Sequence, residues 1–144
     1  MTELQAHITS LDPHQRHRPR EEFDAPAYIR RLHEKVNAGN GIILFAVDGE
    51  DVMGMLVGVV LPFTPDDALE CYPFQNGRVI ELYVADAARR SGVGKLLMRA
   101  AEEEFRRRGC GAVIVECFGP NLDAHAFYRS IGYEDRSIDL LKLL

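Results

Sequence analysis

A predicted strand that runs through a glycine turn into a long amphipathic helix is the feature that most constrains this fold. Residues 78–84 have the composition of a strand, the turn contains Gly92 and Gly94, and Gly109 ends the helix predicted over residues 92–108. The apolar positions of that helix fall at i, i+3, i+4, i+7, i+8 and i+12, which is typical of one packed face. These positions are Val93, Leu96, Leu97, Ala100, Ala101 and Phe105.

The start of this helix has the properties of an anion site. The first N–H groups of a helix have no intrahelical partner and the helix dipole favours negative charge, so residues 92–95 could hold a diphosphate. Gly92 and Gly94 would let the phosphates approach the backbone, and Arg89 or Arg90 could add a charge-assisted contact. Taken alone, a glycine-rich helix start without a ligand is the alternative.

Two other phosphate-binding loops do not fit this segment. A Walker A loop would need glycine at the position of Arg89 and Ser or Thr at the position of Leu96. A Rossmann fingerprint would need a third glycine where Leu97 stands. The segment therefore belongs to neither class.

The remaining pattern predicts one domain over residues 1–144, with alternating helices and strands. Asp24 is expected to cap a helix that ends near Asn37, and Asp48-Gly49 predicts a hairpin turn between two β-rich runs. We also predict a helix over residues 2–11, strands over residues 41–47, 52–61, 112–117 and 138–143, and a helix over residues 121–130 with Leu122, Ala126, Phe127 and Ile131 facing inward.

Composition excludes several function classes. The net charge of −5 gives no basic face for nucleic acid, and no apolar segment is long enough to span a membrane. The three cysteines lack CxxC spacing and the chain shows no secretory leader, so we expect reduced thiols, a cytoplasmic protein and no metal. His14 and His17 form an HxxH pair without a third ligand. A homodimer is compatible with the sequence.

Two motifs in sequence order carry a resemblance to a known family. Leu82-Tyr83-Val84 is followed by Arg89-x-x-Gly92-x-Gly94, and further on come Asn121, Phe127-Tyr128 and Gly132-Tyr133. In these positions the chain resembles the GCN5-related N-acetyltransferase (GNAT) family. The resemblance implies an α/β fold with a mixed, mostly antiparallel sheet, helices on both faces and splayed central strands. It also implies acetyl-CoA as cosubstrate and acetyl transfer to an amine.

The resemblance assigns roles to individual residues. Main-chain groups of Leu82 and Val84, on either side of Tyr83, would pair with the pantetheine arm, and Asn121 would bond its end. The Tyr128 hydroxyl would protonate the departing thiolate; its alternative role is packing. The segment expected to hold the diphosphate consists of Arg89, Arg90, Ser91, Gly92, Val93, Gly94 and Lys95.

The acceptor side is less determined by sequence. Acetyl transfer needs a group that takes a proton from the amine, and Glu81, beside the pantetheine strand, is our candidate; a solvent-facing carboxylate is the alternative, because a one-residue register change reverses its face. Asp66, Asp67 and Glu70 precede this strand and favour a small cationic acceptor, unless they only solvate a loop. The family's usual first strand is not evident, so residues 4–10 are either extended or that strand is missing or replaced. A non-catalytic acetyl-CoA sensor and a structural subunit with an unrelated phosphate site also remain open.

Overall fold

The computed structural model describes all 144 residues as five α-helices and four β-strands. Residues 20–22 and 86–88 each form a single 3-10 turn. The helices are α1 (Thr2–Leu11), α2 (Ala25–Ala38), α3 (Asp67–Glu70), α4 (Val93–Arg107) and α5 (Leu122–Ser130), and the strands are β1 (Ile42–Asp48), β2 (Asp51–Val60), β3 (Asn76–Val84) and β4 (Ala112–Val115).

The sheet has the order β1-β2-β3-β4 and is mixed. The first two pairings are antiparallel and the third is parallel. The parallel pairing joins only residues 76–79 of β3 to β4, so the two strands diverge beyond Val79. This divergence is the splay that the family resemblance implied, and it leaves residues 80–84 without a neighbour on the β4 side.

The predicted β-hairpin is confirmed. β1 ends at Asp48, β2 begins at Asp51, and Gly49 between them has a φ of +59°. That left-handed conformation is the one that an Asp-Gly turn provides. The acids of this turn lie at the same end of the sheet as Val84, because Gly54 pairs with Val84.

Helix α4 packs on one face of the sheet and contributes four of the eight residues of the buried core cluster. Leu97, Met98, Ala101 and Phe105 are buried, and a Cβ at Gly77 would lie 2.4 Å from the Phe105 ring. The glycine therefore lets the ring approach the sheet. Leu96, expected on the inner face, is 63% exposed, and Met98 lies in the core instead because the buried stripe is centred one residue later. The expectation for Leu96 was wrong.

Helix α2 covers the opposite face. Asp24 caps it as predicted, accepting a hydrogen bond from the Ala27 N–H at 2.9 Å, and Leu32 is buried. Val57 is buried on this face, whereas Leu56, its neighbour in β2, packs with α4. The sheet is therefore flanked by helices on both faces, which confirms the predicted fold class.

Both ends of the chain differ from the usual family pattern. Residues 2–11 are helical, so residues 4–10 are not extended and the sheet begins at β1. The strand predicted over residues 138–143 is wrong, because this segment makes no ladder hydrogen bond and its leucines are exposed. In α5, Leu122 and Ala126 are exposed, whereas Phe127 packs on the core as expected. No helix combines the length and apolar character that a membrane span would need.

Candidate active site

The N-terminus of α4 presents free backbone donors. Gly92 caps the helix without a side-chain hydrogen bond, and the first N–H to find a helical partner is that of Leu96, which donates to the Gly92 carbonyl at 3.0 Å. The N–H groups of residues 92–95 donate to no acceptor in the protein. Such a helix start can bind an anion through its backbone.

Glycine is needed at Gly92 and at Gly94 for different structural reasons. Gly92 has a φ of +91° and nothing lies within 4 Å of where its Cβ would be, so its need for glycine is conformational. A Cβ on Gly94 would lie 3.3 Å from Cζ of Phe127 and 3.6 Å from Cγ2 of Val84. Gly94 therefore allows α4 to pack closely against α5 and β3, a reason that the sequence did not reveal.

The polar side chains of the turn divide into two groups. Arg89 pairs with Asp86 at 2.8 Å and reaches the Val84 carbonyl at 3.5 Å, and the Ser91 hydroxyl donates to the Ala88 carbonyl at 2.6 Å. The side chains of Arg89 and Ser91 therefore stabilise the turn itself. Arg90 and Lys95 are exposed and form no ion pair, so their charges are available to an anion.

The unpaired edge of β3 lies directly before this turn. The Ala85 N–H donates to the Met53 carbonyl at 2.9 Å, towards β2. Because successive residues of a strand direct their main-chain groups to alternate edges, Leu82 and Val84 direct theirs away from β2. These groups face the gap that opens where β4 diverges, so an extended chain could pair with them there.

A β-bulge decides which face of the sheet Glu81 occupies. Val57 pairs with Glu81, but the adjacent Gly58 pairs with Val79, so Ile80 is an extra residue in β3. The extra residue shifts the alternation of side chains. Val79 and Leu82 both pack in the α4 core, and Glu81 and Tyr83 project to the face of α1 and α2.

Glu81 is held by a tyrosine from α2. The Tyr28 hydroxyl donates a hydrogen bond to Oε1 of Glu81. Burial raises the pKa of Glu81 above its ordinary value, while the Tyr28 hydrogen bond and the charges of Lys35 and the chain's amino terminus oppose the rise. Glu81 is half-buried in this position. The Tyr83 hydroxyl likewise donates a hydrogen bond to Glu3 of α1, so its side chain lies away from the open edge.

The candidate acid lies on α5. The Tyr128 ring packs between Phe127 and Tyr133, with ring centroids 5.2 and 5.9 Å away, and its hydroxyl donates to no acceptor in the protein. Burial raises the pKa of Tyr128 to about 12, and the neighbouring Cys117 and Glu81 act in the same direction. Tyr128 therefore stays protonated at neutral pH.

Asn121 has a structural role at the start of α5. Its Oδ1 caps α5 by accepting from the Ala124 N–H at 3.1 Å, and its side-chain NH₂ donates to no acceptor in the protein. The carboxamide is held in place by the cap, and its donor is available for a ligand. The Cys117 thiol contacts the Asn121 carbonyl at 3.7 Å.

The acidic loop lies at the other end of β3 from the anion site. It joins Val60 of β2 to Asn76 of β3, whereas the anion site follows Val84. Asp67 accepts hydrogen bonds from the N–H and hydroxyl of Thr64, at 2.8 and 2.6 Å, which lower its pKa. Asp67 thus stabilises the loop, and Asp66 and Glu70 are exposed acids without such partners.

The geometry agrees with comparisons to known proteins. The family model "Acetyltransferase (GNAT) family" matches residues 6–133, which include the splayed strands, the helix start and Tyr128. This chain belongs to the GNAT acetyltransferase family. Among curated proteins, this GNAT chain is similar to the aminoglycoside N(6')-acetyltransferase type 1 of Acinetobacter haemolyticus, with 26% identity over 109 residues, 76% of this chain and 73% of that protein.

Solved structures share the GNAT fold. A protein from Bacillus halodurans has a TM-score of 0.79 and 20% identity, covering 99% of this chain and 88% of the other. AAC(6')-Iy in complex with the bisubstrate analogue CoA-S-monomethyl-acetylneamine has a TM-score of 0.67 and 16% identity, covering 98% of this chain and 90% of the other. At these identities the likeness concerns the fold.

Sequence reasoning missed two residues that the GNAT fold brings to the site. Tyr28 follows the apolar spacing of α2, which is typical of a packing residue, yet it is 36% exposed and binds Glu81, 53 positions away. Cys117 lies just beyond the end of β4, where its thiol contacts the Asn121 carbonyl. The Tyr28 contact has no local sequence signal, because it depends on how distant elements pack.

Proposed function

We propose that this chain is an acetyl-CoA-dependent N-acetyltransferase that acts on a primary amine, and that the amine is a small cation. The observation that carries the proposal is the open edge of β3 beyond Val79, with Glu81 held on β3 and the Tyr128 hydroxyl on α5 left without an acceptor in the protein. A base for the acceptor and a donor for the leaving group are the two proton-transfer groups that acetyl transfer needs.

The same edge suits acetyl-CoA. The free N–H groups of residues 92–95, with Arg90 and Lys95 nearby, would bind the diphosphate. Main-chain groups of Leu82 and Val84 would pair with the pantetheine arm, and the Asn121 NH₂ would bond its end. Acetyl-CoA supplies an activated acyl group as a thioester, so we propose no metal.

Glu81 would remove the proton from the acceptor ammonium, giving an amine that can attack the thioester carbonyl. The resulting nitrogen must then lose a second proton while the sulfur gains one. Full transfer from Tyr128, with a pKa of about 12, to a thiolate of ordinary pKa of about 8.5 would cost roughly 5 kcal/mol. Tyr128 would therefore act as a relay that donates to the sulfur while it recovers a proton from the nitrogen.

Charge favours a cationic acceptor. The acceptor would reach Glu81 from the end of β3 opposite the diphosphate, where Asp66 and Glu70 are exposed. Acids lining one entrance raise the local concentration of a cation. The curated relative named above is an aminoglycoside acetyltransferase, and aminoglycosides are amines, which supports the same substrate class.

Thermal shift followed by an amine panel tests the proposal. Acetyl-CoA at a hundredfold excess over its Kd should stabilise the fold by about 2.7 kcal/mol, and NADH and ATP by much less. The panel contains polyamines, aminoglycosides, neutral amino acids and basic peptides, with released thiol as the readout. Equal stabilisation by all three nucleotides would contradict the pantetheine groove. Stabilisation without turnover of any amine would favour the sensor over the enzyme.

The wider assignments are proposals too. We propose that residues 1–144 form one acetyltransferase domain and that the protein works in the cytoplasm, which its three free cysteines support. That it binds neither nucleic acid nor membrane stays a prediction, and a homodimer stays compatible with the sequence.

A further inference from the structure

Glu81 and Tyr28 are fixed from two independent elements. Tyr28 lies in the first turn of α2, where Asp24 caps the helix and Pro26 restricts the backbone. The Phe23 ring packs against Tyr28 with centroids 5.3 Å apart. Glu81 is directed to the same place by the bulge at Ile80. The contact therefore joins two anchored side chains and does not depend on a mobile loop.

We propose that Tyr28 is a positioning residue: its hydroxyl holds Oε1 of Glu81, so that Oε2 is the oxygen that takes the proton from the acceptor amine. The inference rests on the proposed function, because it requires Glu81 to be the base. A carboxylate that accepts one hydrogen bond on a fixed oxygen loses rotational freedom, and its second oxygen keeps its direction.

The titratable and charged groups around Glu81 determine whether its pKa rises or falls when the Tyr28 hydroxyl is removed. Tyr28 and Lys35 face it from α2, the chain's amino terminus from α1, and Tyr128 from α5. Burial and the bond to Glu81 raise the pKa of Tyr28, so the phenol remains a donor throughout the working pH range. A donor to the ionised carboxylate lowers the pKa of that carboxyl. Removing it must therefore raise the pKa of Glu81.

Tyr28→Phe is the test, because it keeps the ring against Phe23 and removes only the hydroxyl. We expect the pKa of Glu81, followed by carbon-13 NMR, to rise by roughly half a unit to one unit. The acid limb of kcat/KM for the acceptor should move to higher pH by the same amount, lowering kcat/KM on that limb by roughly three- to tenfold. The KM for acetyl-CoA should not change.

Two further variants separate the possible failures. Tyr133→Phe removes another phenol–carboxylate hydrogen bond, to Glu102 at 3.1 Å, and should leave the acid limb in place. Glu81→Gln should abolish the limb. If Glu81→Gln abolishes it and Tyr28→Phe does not move it, the positioning role is wrong and the proposed function stands. If the parent protein acetylates no amine, the proposed function fails. A Glu81 pKa that is unchanged in Tyr28→Phe overturns the inference regardless of turnover.

Discussion

Gly92→Ala should lower the stability of the folded protein slightly and weaken its binding of acetyl-CoA more strongly. Gly92 has a φ of +91°, and no atom lies within 4 Å of the position that a Cβ would take, so alanine there meets strain but no clash. A left-handed alanine costs about 1–2 kcal/mol, and the smaller freedom of alanine in the unfolded chain returns about 0.5 kcal/mol. The free energy of unfolding should therefore fall by about 1 kcal/mol, or roughly 4 °C in Tm.

The affinity for acetyl-CoA should also fall, because the substitution affects the binding site directly as well as the stability of the fold. The added Cβ lies in open space beside the free N–H groups of residues 92–95, where the diphosphate would bind. We expect the Kd to rise by about tenfold or more, equivalent to about 1.4 kcal/mol. Isothermal titration calorimetry of the folded variant measures the Kd, and thermal unfolding measures the stability.

Gly109→Ala is the matched control. Gly109 follows the other end of α4, has a φ of +81° and likewise has nothing within 4 Å of its Cβ position. It should lose similar stability and keep the parent Kd. An unchanged Kd in Gly92→Ala, or an equal rise in both variants, would refute the assignment of the diphosphate to this helix start.

Two further predictions concern the chemistry and the acceptor. Tyr128→Phe keeps the ring packed against Phe127 and Tyr133, and turnover should fall by roughly 10²–10⁴-fold with near-normal acetyl-CoA affinity; steady-state kinetics that show a loss below threefold would leave Tyr128 as a packing residue. Asp66→Asn combined with Glu70→Gln, which spares the loop contact of Asp67, should raise the KM of a cationic amine and weaken its dependence on ionic strength. Asp48→Asn combined with Glu50→Gln removes the same charge from the distant hairpin turn, and an equal effect there would contradict local attraction.

The sequence correctly predicted those helices and turns that depend on residues close together in the chain. The Asp24 cap, the Asp-Gly hairpin and the amphipathic period of α4 each depend on residues within a few positions of one another. The two motifs likewise carried the family, because the residues that form each motif lie close together in the sequence. The strand predicted over residues 138–143 was wrong, since a β-rich composition makes a strand only where an edge pairs with it.

The side of the sheet that Glu81 occupies was decided by tertiary structure. Alternation along β3 alone would place Glu81 on the same face as Val79, towards α4, and one unpaired residue, Ile80, reverses that outcome. The bulge exists only in the pairing with β2, so the sequence of β3 by itself could not reveal it. The Tyr28 contact depends on the same packing, because it joins residues 53 positions apart. The sequence thus determined which chemical groups this acetyltransferase family member carries. The register of β3 against β2 decided that Glu81 lies beside Tyr28.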